Sequence, residues 1–254
     1  MRQITYPSSF TAFRKTAREL LQQQVAPETI LWSDSTTLNL SFEQNNAAQR
    51  ATEASYFVAR TFLDVAQTVA CHRDPTKWER LYCILWKLTH GEKYLLHTGL
   101  DKDVVQCKRM AQAVRRDCHK MKAFVRFRQI NDPTDPENPH FVAWFEPQHL
   151  IVKRMAGFFK QRFANMHWSI LTPDDCVHWN QKQLFYAPGT DKSMAPREDD
   201  YETYWLTYYQ NIFNPARLKT KAMCAEMPKK YWKNLPEAAL IPQLIEKSMR
   251  MGFK

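Results

Sequence analysis

Residues 102–128 read KDVVQCKRMAQAVRRDCHKMKAFVRFR and contain nine Lys or Arg against two Asp. Small and apolar residues recur there at alternating spacings of three and four, which is typical of one buried helix face. They are Val104, Cys107, Ala111, Val114, Cys118 and Met121. Beside this stripe, Lys108, Arg115 and Lys122 follow at seven-residue steps, with Arg109 and Arg116 next to them. The pattern predicts a well-anchored helix over about residues 101–122 with a row of exposed cations.

The end of this stretch changes from a helical to an alternating period. In Phe124-Val125-Arg126-Phe127-Arg128, every second residue would fall on the same side of an extended chain. The sequence therefore predicts a strand over residues 123–130, with Arg126 and Arg128 on one face. A rigid and concentrated positive surface of this kind favours a polyanionic partner.

The segments on either side predict helices at both ends of the chain and a sheet between them. Ser8 or Ser9 would cap a first helix, and further helices are expected at about 55–71, 76–96 and 148–165. Apolar and alternating runs predict strands at 29–32, 37–42, 141–146, 167–171, 177–179 and 184–186. An aromatic stripe at 201–212 and a basic helix from residue 215 make the last third helical. The predicted fold class is α+β, with helices packed around a small antiparallel sheet.

The 254 residues, 44% of them hydrophobic, are enough to bury a substantial core. We expect an N-terminal part, residues 1–50, with one helix and short strands. A main domain, residues 51–254, is expected to form one compact unit with it.

The net charge of +10 is concentrated in three stretches. Residues 102–128, 153–162 and 217–233 carry +7, +4 and +5, so the rest of the chain carries −6. Localised charge of this kind is expected of a surface that follows nucleic-acid phosphates. An acidic protein or a membrane surface is the alternative partner.

Several classes of protein are excluded by what the sequence lacks. It has no run of about 18 apolar residues, so we expect no membrane span. The six cysteines are dispersed without a Cys-x-x-Cys pair, which argues against a zinc ribbon or an iron–sulfur loop and favours a reducing cytoplasm. We expect no cofactor and no metal ion.

No known catalytic motif occurs, and only isolated polar residues are candidates for chemistry. Glu146 ends the predicted strand at 141–146, and His149 follows it. Asp174 follows Pro173 in a segment that is weakly similar to restriction-type nuclease sites. His119 stands on the basic helix. Three of them have a plainer interpretation: His149 as a helix-start residue held by a cap, Asp174 as a turn residue, and His119 as a contact to phosphate or solvent.

Longer strings resemble those of a known family. They are AVRRDCHKMKAFVRFR (113–128), HFVAWFEPQH (140–149), RFANMHWSILTPD (162–174), YYQNIFNPARLK (208–219) and AEMPKKYWKNLPEAALIPQLI (225–245). The chain resembles an uncharacterised bacterial family of DNA-metabolism or DNA-repair proteins, strongly over 73–245 and more loosely over 9–34. Members are encoded beside a DNA-repair radical-SAM protein, and in other bacteria a similar domain precedes a UdgX-type uracil-DNA glycosylase-like domain.

The resemblance implies an association with DNA repair but no mechanism. Because the chain ends at Lys254, we expect either a free-standing member or an N-terminal portion, and we carry over neither uracil excision nor uracil trapping.

We therefore expect a cytoplasmic DNA-binding accessory protein that works with a radical-SAM or glycosylase-type repair enzyme. The expected phosphate-contacting residues are Lys108, Arg109, Arg115, Arg116, Lys120, Lys122, Arg126, Arg128, Arg217, Lys219, Lys229, Lys230 and Lys233. Tyr231 and Trp232 either stack on bases or anchor their turn to the core. Two alternatives stay open: an enzyme that acts on damaged DNA, and a protein–protein adaptor for the repair enzyme.

Overall fold

The computed structural model describes residues 1–34, 56–130, 139–195 and 226–250. The chain divides into two compact units, residues 1–116 and 117–254, and the boundary falls inside the long basic helix. A boundary near residue 50 stays a prediction, because residues 35–55 lie outside the described part. No helix in the described ranges is long and apolar enough to cross a membrane.

The first unit is mostly helical. Its elements are β1 (Arg2–Thr5), α1 (Phe10–Gln22), a 3₁₀ turn (Pro27–Thr29), β2 (Ile30–Ser33), α2 (Arg60–Val69), α3 (Lys77–Thr89), α4 (Leu95–Thr98) and the start of α5 (Lys102–Phe124). The predicted first helix is confirmed, since the Ser9 hydroxyl accepts from the Ala12 N–H and Phe13 lies in the core. Strand β1 was not predicted, and it pairs in parallel with β2.

Helix α5 confirms the predicted stripe of small and apolar residues. All six stripe residues, from Val104 to Met121, are buried. The Asp101 carboxylate caps the helix by accepting from the N–H groups of Asp103 and Val104, at 2.9 and 3.0 Å. A capped start and a continuous apolar face explain why this segment is helical despite its high charge.

The predicted strand over residues 123–130 is wrong for most of its length. Helix α5 continues through Phe124, and the N–H of Val125 still donates to the Met121 carbonyl at 3.1 Å. Only Arg128 to Ile130 form a strand, β3. Arg126 therefore precedes the strand and does not share a strand face with Arg128.

The second unit is built on a five-stranded sheet. Its elements are β3 (Arg128–Ile130), β4 (His140–Trp144), α6 (Val152–Arg162), β5 (His167–Leu171), β6 (Asp175–Trp179), β7 (Leu184–Pro188), α7 (Lys229–Trp232), a 3₁₀ turn (Pro236–Leu240) and α8 (Ile241–Arg250). The strand order is β3-β4-β5-β6-β7. The predicted α+β class is confirmed. The sheet is mixed rather than antiparallel, because α6 connects β4 to β5 and a crossover of this kind brings its strands parallel.

The two faces of this sheet differ. The Phe159 ring of α6 packs edge-on against the fully buried Trp168, with ring centroids 6.2 Å apart. Side chains alternate along a strand, so Ser169 lies on the opposite face. Its cross-strand neighbour Val142 shares that face, as does Trp144.

Other predictions fall outside the described residues. They concern the strand at 37–42, the aromatic stripe at 201–212, and the basic helix with Arg217 and Lys219.

A glycine next to β7 offers a direct test of the sheet's packing. A Cβ on Gly189 would lie 1.9 Å from the Pro173 carbonyl oxygen, whereas a Cβ on Gly157 in α6 would meet nothing within 4 Å. We expect Gly189→Ala to lower the free energy of unfolding by about 1–3 kcal/mol through backbone displacement. Gly157→Ala should raise it by about 0.5–1 kcal/mol. Urea denaturation measures both, and equal stability of the two variants would contradict the packing at Gly189.

Candidate nucleic-acid interface

The exposed cations of α5 form the first candidate site. Arg109, Arg115, Arg116 and Lys122 are all exposed. Arg109, Arg115 and Arg116 have no hydrogen bond or ion pair among the described residues. The Lys122 ammonium lies 4.7 Å from the centroid of the Phe158 ring. We call these four residues the α5 cations.

Two neighbouring lysines that were expected to contact phosphates are held by protein groups. Lys120 pairs with the Glu226 carboxylate at 3.7 Å and also donates to the Glu226 carbonyl, so that only 16% of its side chain is exposed. Lys108 donates to the Leu96 carbonyl at 3.0 Å but stays exposed. Lys120 therefore fixes the segment before α7 more than it offers a free charge.

A separate candidate site is a cavity of about 490 Å³ in the second unit. Four cations line it: Arg126, Arg128, Lys192 and Lys233. The remaining wall is formed by Val142, Trp144, Ser193, Ala195 and Asn234. These described lining residues include no carboxylate. We call this site the cationic cavity.

Arg126 is oriented by contacts on both sides. One guanidinium nitrogen donates to the Ala123 carbonyl at 2.7 Å, and the other to the Glu237 carboxylate at 2.7 Å. Glu237 is buried, so the pair ties the loop after α5 to the 3₁₀ turn near the end of the chain. A guanidinium fixed in this way keeps its position without a ligand.

Lys233 is held on the other side of the cavity. Its ammonium lies 2.7 Å from the Glu146 carboxylate, which also accepts from the Trp144 indole N–H at 2.9 Å. Burial alone would raise the pKa of Glu146, but these two hydrogen bonds and the charges of Lys233 and Lys192 hold it below its ordinary value. Glu146 is thus an ionised anchor for Lys233.

A buried contact between two aromatic rings holds α7 against the segment that follows β4. Tyr231 is 2% exposed, and its ring stacks on Phe145 with centroids 5.3 Å apart. Its hydroxyl donates to the Asp117 carboxylate at 3.3 Å, and that carboxylate accepts from the His149 backbone N–H at 2.9 Å. Burial raises the pKa of Asp117. Tyr231 is therefore a core anchor and is not available to stack on a base.

The other predicted residues of this segment are more accessible. Lys229 and Lys230 are exposed, and Trp232 is half-buried. The Trp232 indole donates to the Met227 carbonyl at 2.9 Å. Trp232 also lines a second cavity of about 390 Å³, which shares Arg128, Lys233 and Asn234 with the first.

The four catalytic candidates lie on three segments of the chain, with Glu146 and His149 together between β4 and α6. His119 is exposed on α5, and Asp174 lies in the turn between β5 and β6. Glu146 is bound to Lys233, and the backbone of His149 is bound to Asp117. Across the described ranges, no group of three His, Cys, Asp or Glu residues is arranged to hold a metal ion.

A polar cluster that the sequence analysis missed lies on the sheet face that carries Val142. The Ser169 hydroxyl lies 2.8 Å from His140 Nε2 and 2.7 Å from His178 Nδ1. A hydroxyl has one proton, so it donates to one imidazole and accepts from the other. Burial lowers the pKa of both histidines, and the nearby His167 lowers that of His140 further.

The cavity gathers residues from distant parts of the sequence. Arg126, Arg128 and Lys233 belonged to the predicted basic sets, whereas Lys192, Trp144 and Asn234 did not. Lys192 follows the short loop 189–191 after β7 and donates to the Asn234 side chain at 2.6 Å. A Lys after a Gly-containing loop is an ordinary surface residue, so no sequence signal pointed to this contact.

Comparison with known proteins assigns the chain only to a family without a known activity. Residues 75–237, more than half of the chain, match the model of DUF4130, described as a domain of unknown function. No curated protein and no solved structure matches the chain.

The Tyr231 hydroxyl provides one test of the buried anchor. We expect Tyr231→Phe to lower the free energy of unfolding by about 1 kcal/mol, because it removes one hydrogen-bond donor from the buried Asp117 carboxylate. Tyr186→Phe is the matched control, since Tyr186 is exposed and should tolerate the change. Urea denaturation of both variants measures this, and equal stability of the two would show that the Asp117 contact contributes nothing.

The histidine cluster predicts a dependence of stability on pH. Unfolded histidines take up protons near pH 6.5, whereas His140 and His178 in the folded protein do so at lower pH. The stabilisation is therefore complete above about pH 6.5 and is lost as the pH falls toward the folded-state pKa values. Denaturant unfolding at several pH values between about 7 and 5 measures how steeply the free energy of unfolding falls as the pH is lowered. His178→Gln should reduce this slope, and an unchanged slope would contradict the assignment.

Proposed function

Because this chain belongs to the DUF4130 family, whose description assigns no activity, we propose its function from its own residues: it binds DNA through the backbone phosphates. The observation that carries this proposal is the set of α5 cations. Elsewhere in the described residues many cations are paired, as in Arg80 with Asp103 and Lys87 with Asp101. Adjacent arginines without such partners repel one another, and a polyanion removes that repulsion.

Phosphate contacts of this kind give affinity without sequence preference. Exposed arginine and lysine side chains displace the counterions of DNA, so binding should weaken steeply as salt is added. Lys229 and Lys230, which are exposed on α7, would add to the binding surface of the second unit.

The proposal also includes a cellular role and a location for this DNA binding. The resemblance to DNA-metabolism proteins supports a role in DNA repair as an accessory of a radical-SAM or glycosylase-type enzyme. The described cysteines, Cys71, Cys83, Cys107, Cys118 and Cys176, are all free thiols, which is compatible with the cytoplasm.

The two alternatives predict different behaviour. An enzyme that acts on damaged DNA would convert a substrate oligonucleotide with residues such as the four catalytic candidates. An adaptor would bind an acidic protein partner and leave DNA unbound.

The test is a salt titration with two charge-reversed variants. We expect wild type to bind labelled duplex and single-stranded DNA with an affinity that falls linearly on a log–log salt plot. Arg115→Glu/Arg116→Glu/Lys122→Glu should lose about ten-fold or more in affinity and show a shallower salt slope. Fluorescence anisotropy measures both quantities.

Arg14→Glu/Lys15→Glu/Arg18→Glu on α1 is the matched control, because it makes the same change in net charge at three exposed positions. It should keep most of the affinity. Equal losses in the two variants would show that net charge alone drives binding, and no binding by wild type at low salt would refute the proposal.

A further inference from the structure

The exposed face of α6 carries positive charge and no negative charge. The helix reads VKRMAGFFKQR and contains four cations and no carboxylate. All four cations are exposed: Lys153, Arg154, Lys160 and Arg162. Lys153 pairs with Asp175 at 3.3 Å, whereas Arg154 has no hydrogen bond or ion pair among the described residues. The described residues therefore neutralise this positive surface only in part.

Gly157 lies in the middle of the same exposed face. Residues three and four positions away are its neighbours on the helix surface, and here they are Lys153, Arg154, Lys160 and Gln161. A Cβ at Gly157 would meet no described atom within 4 Å, and the backbone there is helical. Glycine is less favourable than alanine in a helix, and neither packing nor backbone conformation in the described structure requires it at this position. Bare backbone is thus surrounded by three cations and an amide.

A cation from α5 adds to this surface. The Lys122 ammonium lies 4.7 Å from the centroid of the Phe158 ring, and Phe158 follows Gly157 in α6. The Phe158 ring also packs edge-on against the buried Phe159, with centroids 5.2 Å apart. Lys122 and Phe158 both belong to the second unit. We call the exposed face of α6, together with Lys122, the α6 surface.

We propose that the α6 surface binds the sugar–phosphate backbone of DNA, and that Gly157 is where a strand comes closest to the protein backbone. This inference rests on the proposed function. Cations around a position without a side chain suit a partner whose own backbone carries the negative charge, as a nucleic acid does. An acidic side chain of a protein extends from its backbone, so it reaches a cation without such a close approach.

A size series at Gly157 tests this contact. Gly157→Ala and Gly157→Leu should both be at least as stable as wild type, because the position is open and both residues favour a helix more than glycine does. The affinity for labelled duplex DNA should nevertheless fall with side-chain size, by about ten-fold for Gly157→Leu, the loss expected when one contact to a charged group is broken. Fluorescence anisotropy measures the affinity, and urea denaturation measures the stability.

Two control variants accompany the series. Gln67→Leu on α2 places the same side chain at an exposed helical position of the first unit and should leave the affinity unchanged. Arg154→Gln removes one cation of the α6 surface and should lower the slope of the log–log salt plot by about 1. Arg18→Gln on α1 removes the same charge at another exposed position and should leave the slope unchanged.

The outcomes separate this inference from the proposed function. If wild type binds DNA but Gly157→Leu and Gln67→Leu bind it equally well, the α6 surface does not contact DNA, although DNA binding itself stands. If Gly157→Leu weakens the binding of poly-L-glutamate as much as that of DNA, the surface accepts any polyanion and the assignment to nucleic acid is overturned. If wild type binds no DNA at low salt, the proposed function fails, and the inference fails with it.

Discussion

The second unit depends on a buried carboxylate, that of Asp117 on α5. Removing a carboxylate from water is costly unless donors surround it, and here the backbone N–H of His149 and the hydroxyl of Tyr231 supply them. The first contact fixes the chain after β4, and the second fixes α7. Because Tyr231 also stacks on Phe145, the segment that carries Lys233 and Asn234 is held in a defined position. The contacts of Asp117 and Tyr231 therefore fix the part of the cavity wall that Lys233 and Asn234 form.

The chain uses its positive charge in two ways. The arginines of α5 are exposed and have no partners in the described part of the chain. They can therefore attract a polyanion but do not form a binding cavity. Arg126 and Lys233 are each held by a carboxylate, which fixes the positions of these two charged groups beside the cavity. The first arrangement suits a long polyanion met at many points. The second suits a single anionic group that enters a cavity.

The parts of this fold that depend on local periodicity were predictable. The buried stripe of α5, the cap and core face of α1, and strand β5 were all confirmed, because burial repeats along each segment. The end of α5 was not, since Phe-Val-Arg-Phe-Arg alternates like a strand and only tertiary packing keeps Phe124 helical. Strand β1 was missed because four residues carry little pattern, and its partner β2 lies beyond a whole helix. The cavity depends on contacts such as that between Lys192 and Asn234, which lie about 40 residues apart in the sequence. The residue pattern within one segment cannot predict such contacts.

The most direct test of the account is lysine footprinting with and without bound DNA. Acetylation followed by mass spectrometry reports the accessibility of each ammonium group in the folded protein. We expect bound DNA to protect Lys122, Lys192 and Lys233, while Lys15 on α1 and Lys182 between β6 and β7 react as before. Protection of Lys15 and Lys182 to the same degree, or no protection at Lys192 and Lys233, would contradict it.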